Sequence, residues 1–338
     1  MKKDLTVAGV YIAAIIGAGF ASGSEVLYYF AKFGKMGFFG IILSSLLFGV
    51  MAWIILETSK KEGYGDFNAF LGGIFSFRVV KALNVFIYVF MFVVFSAMIS
   101  GSGETVSTLT GVAKMWGVIG ILVAVAVGLS GDVRGFMTVS GVLSVFMIVG
   151  ICGVCCYLLR FREISTFNQN VGWITSGVSY AGYNILTAAA ILPAMAGHAE
   201  KTVRVGVISS VGIGLMLLFI WGIISIYYGK IPLGSIPMLT ICKRHGLTLS
   251  IIYSLVLYMA MFTTALANGF ALLDAMKMGR GKSIVFITVL GFFLSGFSFD
   301  FFVDVVYRMA GVLGMIFMGY IFIKKLNLLE KWRKTEKK

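Results

Sequence analysis

Residues 5–31 form an apolar run long enough to cross a bilayer, and nine further runs of the same kind follow. A hydrocarbon core about 30 Å thick takes about 20 residues of helix. In lipid each backbone amide must find its partner within its own segment, so such runs are helices. The ten runs cover residues 5–31, 38–57, 79–99, 116–129 and 136–159, then 171–195, 203–228, 247–276, 284–297 and 301–323. Only 12% of residues are charged and 59% are hydrophobic, with a mean hydropathy of +0.98. A soluble domain carries roughly a quarter charged residues, so the expected class is an all-α integral membrane protein, a single transmembrane domain over residues 1–338.

The formal charge of +14 does not point to nucleic acid, because the basic residues fall in the short gaps between apolar runs rather than on an aromatic-rich basic face. Of 28 Lys and Arg, 19 lie on the side that holds both termini. The positive-inside rule then places both termini in the cytoplasm, with the chain multi-pass in the plasma membrane. The start, Met1-Lys2-Lys3-Asp4 before an apolar run, is read as an uncleaved first span. Residues 324–338 form a basic cytoplasmic tail. Cys152, Cys155 and Cys156 share one apolar run with no His or carboxylate and are read as packing residues. His198 and His245 fall in loops. No nucleophile motif, phosphate loop or Cys–His cluster is present, so no enzyme and no organic cofactor are expected.

The first run holds Gly17-Ala18-Gly19-Phe20-Ala21-Ser22-Gly23 at its centre. Glycine costs a helix interior about 1 kcal/mol relative to alanine, and a backbone group freed in lipid costs several more. Such a stretch either lets a neighbouring helix approach closely or opens into a cavity where bare backbone groups bind a ligand. The spacing of the runs bears on the choice. The second and seventh, third and eighth, fourth and ninth, and fifth and tenth runs start 165–168 residues apart. Two repeats of five spans, about 5–159 and 171–323, follow from that spacing. Five is odd, so the second repeat enters from the opposite face, as in secondary transporters with inverted repeats. The sixth run should then break as the first does, and Ser179-Tyr180-Ala181-Gly182-Tyr183-Asn184 is the expected place, near the membrane midplane. The substrate pocket is expected from Ala18, Gly19, Phe20, Ala21, Ser22, Tyr180, Ala181, Gly182 and Asn184, with Ser96 and Asn268 as weaker candidates.

Ten spans in a five-plus-five repeat with the first and sixth broken resemble the leucine-transporter-type (LeuT) fold of the amino acid–polyamine–organocation superfamily. The segment from Gly17 through Ser24-Glu25 resembles the YkvI-like bacterial membrane proteins within it. That resemblance implies a sodium ion between the first and eighth spans, held by carbonyls of Ala13, Ile16 and Ala260 and the hydroxyls of Thr263 and Thr264. The alternative is that both threonines bond back to their own helix. Proton-coupled relatives replace the ion with a lysine on the fifth span, and residues 136–159 contain none. The resemblance also implies an outer gate between the first and tenth spans, here Glu25 with Arg308. A local Asp304–Arg308 pair is the competing arrangement. The expected function is sodium-coupled symport of an amino acid or similar small amine or carboxylate by alternating access, as a monomer or loose homo-oligomer. The alternatives are proton coupling, or a sensor of the germinant-receptor kind without net transport.

Overall fold

The structure is a computed structural model that describes residues 1–161, 171–276 and 278–335. Regular structure among these residues is helical throughout. The first apolar run becomes three pieces, α1 (Lys2–Ile15), α2 (Ala18–Ser22) and α3 (Ser24–Tyr29). They are followed by α4 (Lys35–Glu62), the short α5 (Phe67–Ile74), α6 (Phe77–Thr110), α7 (Lys114–Ser130) and α8 (Val133–Leu158). The second half holds α9 (Trp173–Ala188), α10 (Leu192–Met195), α11 (Thr202–Tyr227), α12 (Pro237–Arg244), α13 (Leu247–Ala275) and α14 (Arg280–Leu294). A short α15 (Phe299–Phe301) and a π turn, Phe302–Val306, lead into α16 (Tyr307–Thr335).

Six of the described helical spans are long and apolar enough to cross a bilayer, and α9 with its continuation to His198 makes a seventh, bent by 64°. The fourth and ninth runs are the shortest of the ten, and α7 and α14 have 17 and 15 residues. The starts of α4 and α11, α6 and α13, α7 and α14, and α8 and α15 lie 166–170 residues apart. Large apolar side chains such as Val145, Val149, Leu215 and Phe293 remain exposed. A lipid solvent accounts for an outer surface of that kind better than water does.

One expectation is corrected. α9 runs unbroken through Gly182, and the chain leaves the helix only after Ala188. Pro193 stands at the start of α10; it lacks an N–H, and its ring displaces the helical carbonyl four residues earlier. The bend is therefore a proline effect. Gly182 serves a helix crossing instead. A Cβ on Gly182 would lie 2.8 Å from the Gly311 carbonyl oxygen and the Met315 amide nitrogen on α16. Gly314 would in turn meet the Gly182 carbonyl, and Gly311 the Ser179 side chain. α9 and α16 thus cross backbone to backbone, the close approach that small residues permit in lipid. α4 and α11 cross in the same manner, with Gly206 against the Gly49 carbonyl.

These crossings join α4, α9, α11 and α16 into one side of the bundle, while α6, α7, α8, α13 and α14 pack as the other. The broken first run lies between the sides: α1 packs on α11 and α9, and α2 packs on α13. At its outset α1 is fastened to the start of α11. The buried Asp4 carboxylate accepts the Glu200 and Lys201 backbone amides at 2.7 and 3.1 Å and pairs with Arg204 at 3.1 Å.

Candidate substrate site

α1 stops because its ladder fails at Ile16, whose ψ of 76° is not helical. The Gly17 amide donates to the Ile15 carbonyl at 2.9 Å, so it does not close the helical bond to Ala13. α2 resumes for five residues and ends on Gly23, at φ +80°. A side chain there would be strained, and it would also strike Ile224 and Met238. This turn re-aims α3 so that Glu25 folds back over α2. The Glu25 carboxylate sits where a Cβ on Gly19 would be. Gly19 is glycine because the carboxylate needs that space.

Around this point lies a cavity of about 120 Å³. Ala14, Gly17, Ala18, Gly19 and Glu25 line it from the first run; Phe90, Val94 and Met98 from α6; Tyr183, Asn184 and Thr187 from α9. Thr264 and Asn268 of α13 and Tyr307 of α16 complete the wall. A ring layer covers one end. Tyr183 packs on Tyr307 at 5.2 Å, on Tyr180 at 5.7 Å and on Tyr29 at 5.9 Å between centroids. All four tyrosines are buried. At the other end Ala14 is exposed, and Thr187, Thr264 and Asn268 are half-buried. The cavity therefore opens toward the face that holds the N-terminus.

Glu25 is 5% exposed. The Tyr180 and Tyr183 hydroxyls lie beside its carboxyl, yet Glu25 Oε2 and the hydroxyls of Tyr29, Tyr180 and Tyr183 complete no hydrogen bond. Its expected partner is engaged elsewhere: Arg308 pairs with Asp304 at 2.8 Å and donates to the Tyr28 hydroxyl at 2.8 Å. Glu25 and Arg308 are not paired in this structure. Arg308 and Lys32 belong to a separate cleft of about 330 Å³, which Tyr29 also lines.

Of the residues expected in the substrate pocket, Ala18, Gly19 and Asn184 line the cavity, as does the weaker candidate Asn268. Tyr180 stands one ring behind. Phe20, Ala21 and Ala181 are buried outside the lining, and the Ala21 carbonyl accepts the Tyr253 hydroxyl at 2.5 Å. The Ser22 hydroxyl donates to the Gly19 carbonyl at 2.8 Å, and Ser96 bonds its own helix at Phe92. The pattern of the sequence does not single out Tyr183, Thr187, Phe90 or Tyr307. Tyr183 and Thr187 follow Tyr180 by helical spacing and share its wall, which is the signal the sequence holds for them.

The proposed cation ligands are only partly gathered. Thr264 lies against Gly17, whose Cβ would be 3.9 Å from the threonine oxygen. The Thr263 hydroxyl donates within its own helix, 3.0 Å from the Met259 carbonyl and 3.1 Å from that of Ala260, and its oxygen is 4.0 Å from the Met147 sulfur on α8.

No family model matches the chain. Over 94% of its length it is 26% identical to the uncharacterized membrane protein YkvI of Bacillus subtilis (strain 168), covering 95% of that protein. YyaD of the same organism is 24% identical, with 98% of each chain covered. Among solved structures, the inward-facing conformation of Mhp1 superposes with a TM-score of 0.60 at 13% identity, covering 94% of this chain and 75% of that one. A manganese transporter of Eremococcus coleocola gives 0.55 at 12% identity, over 84% of this chain and 68% of that one. At such identities the likeness is one of fold. The chain resembles the YkvI-like membrane proteins along almost its whole length and shares the leucine-transporter-type fold with its structural neighbours.

Proposed function

We propose that this protein is a secondary transporter that moves a small solute bearing an amine or a carboxylate by alternating access, using ten spans in an inverted repeat. The observation that carries the reading is the cavity of about 120 Å³ at the break of the first run. It has polar groups converging inside an apolar bundle, an aromatic cover at one end and an opening at the other. Pockets of this kind, mostly apolar with a few placed polar groups, bind small molecules. The solved neighbours of this fold are transporters, which supports transport over sensing. Manganese is a poor fit, because the described residues contain no group of three His, Cys, Asp or Glu side chains able to hold a metal ion.

Sodium is the coupling ion in this reading. A threonine that donates its proton to a helical carbonyl keeps lone pairs for a cation, so the back-bonding of Thr263 is compatible with a ligand role. The ladder failure at Gly17 leaves the Ala13 carbonyl without its usual helical donor. Movement of α1 toward α13 is what would bring the five oxygens together. Substrate counterflow in proteoliposomes, screened with labelled amino acids and amines with and without sodium, tests the function. The double substitution Thr263→Val and Thr264→Val should lower sodium affinity by at least tenfold, and substrate affinity should lose its sodium dependence in parallel, as linkage requires. Sodium dependence that survives the double substitution places the ion elsewhere.

A further inference from the structure

We infer that the central cavity takes a small organic ammonium cation, with Glu25 as the group that balances its charge. The inference rests on the proposal that this cavity is the substrate site, and it narrows the solute from amine or carboxylate to amine.

The lining contains one formally charged side chain, Glu25, and no Lys, Arg or His. Its Oε2 has no hydrogen-bond partner although the residue is 95% buried. The Tyr180 and Tyr183 hydroxyls beside the carboxyl are neutral; a buried charge that no opposite charge balances is costly, and a cation in the cavity would supply the counter-charge. The remaining polar groups reinforce the sign. Ala14 and Ile15 at the C-terminal end of α1 and Thr187 at that of α9 line the cavity, and helix C-termini favour positive charge. Thr187, Thr264 and Asn268 add neutral oxygens.

The apolar part of the wall is suited to the substituents of such a cation. Phe90, Tyr183 and Tyr307 all line the cavity; Phe90 and Tyr307 meet at 5.8 Å between centroids, and Tyr183 and Tyr307 at 5.2 Å. Ring faces attract alkylammonium groups through their quadrupole, the basis of aromatic cages. Size sets a further limit. A cavity of about 150 Å³ accommodates benzene, so 120 Å³ suits a ligand of about four to six heavy atoms. A ligand carboxylate would face Glu25 within that space with no basic side chain to receive it. Zwitterions and acids should therefore bind less well than amines. The basic pair Lys32 and Arg308 lies in the separate cleft that Tyr29 also lines, and Arg308 is already matched by Asp304.

The test is ligand-dependent thermal stabilisation of the full-length protein in detergent, with tetramethylammonium, choline and ethanolamine as cations. Alanine and glycine betaine serve as zwitterions and lactate as the anion. A ligand that binds the folded state raises the unfolding temperature in proportion to its occupancy. At least one cation should stabilise the wild type more than any zwitterion or lactate does. Glu25→Gln keeps side-chain volume and should weaken that cation at least tenfold. Gly19→Ala should do the same while Glu25 is still present, because the new Cβ displaces only the flexible end of the Glu25 side chain. Both variants should unfold near the wild-type temperature without ligand, which separates a binding defect from misfolding. The inference is overturned if none of the three cations stabilises the protein, if a zwitterion or lactate is preferred, or if Glu25→Gln leaves cation affinity unchanged. Cation binding without counterflow would overturn the transporter reading and leave this inference standing. Counterflow of an acid that ignores Glu25→Gln would do the reverse.

Discussion

Gly182→Val should prevent stable folding, or lower the unfolding temperature by more than Asp4→Ala or any change in the cavity wall. The two methyl groups have nowhere to go: the first added carbon already lies 2.8–2.9 Å from backbone atoms of Gly311, Gly314 and Met315. Side chains can rotate away from a clash, but backbone in a crossing helix can yield only by separating α9 from α16. Overpacking a well-filled interior costs about 1–3 kcal/mol, and a purely backbone contact belongs at the upper end. The control is Gly319→Ala on α16, where a Cβ meets nothing within 4 Å. There the change should be neutral or stabilise by up to about 1 kcal/mol, the helix-propensity difference. Fluorescence-detected size exclusion after graded heating reads both. Equal behaviour of the two variants would show that α9 and α16 cross more loosely than these distances require.

The second large effect concerns Asp4. Its carboxylate is inaccessible and satisfies two backbone amides and the Arg204 guanidinium. Asp4→Ala leaves all three without their acceptor, at a cost of about 2–3 kcal/mol, and releases the N-terminal end of α1. The same bonds set a pH dependence. Burial by itself would raise the Asp4 carboxyl, but the Lys201 and Glu200 amides, the terminal ammonium and Arg204 outweigh it, so the group lies below its ordinary 3.8. A carboxyl depressed in the folded state stabilises it above the unfolded value and loses that contribution as pH falls through the folded value. Wild-type stability should therefore decline below about pH 4 more steeply than that of Asp4→Ala. Parallel acid-unfolding curves would rule out this role.

The all-helical class is legible in the sequence because long apolar runs leave the backbone no other solution. The weakness at Gly17 is legible as well, since three glycines in seven residues leave little to hold a helix together there. The position of the sixth-run bend is not. Gly182 among small and polar residues reads alike for a break and for a helix crossing, and only the facing glycines on α16, 129 and 132 residues later, decide between them. The signal that marks the bend is Pro193, one of only 3 prolines in the chain. The Asp304–Arg308 pair is readable from its spacing of four residues. The place of Glu25 is hidden, because its direction depends on the left-handed turn at Gly23 and on the space above Gly19. Residues that share a wall through tertiary packing, such as Phe90 and Tyr307, carry no mark in the local sequence.

Alternating access is the central claim, and the accessibility of the cavity from the two faces of the membrane tests it most directly. Val94 lines the cavity from α6 and has no assigned role in binding. With Cys152, Cys155, Cys156 and Cys242 replaced by serine or alanine, Val94→Cys presents one thiol to a membrane-impermeant reagent. In the described conformation the cavity opens toward the N-terminal face, with the tyrosine layer closing the other. Vesicles of both orientations should nevertheless be labelled, faster from the N-terminal face, because a transporter exposes this wall to each side in turn. Labelling from one face alone, under every ion and ligand condition, would contradict alternating access and describe a fixed pocket.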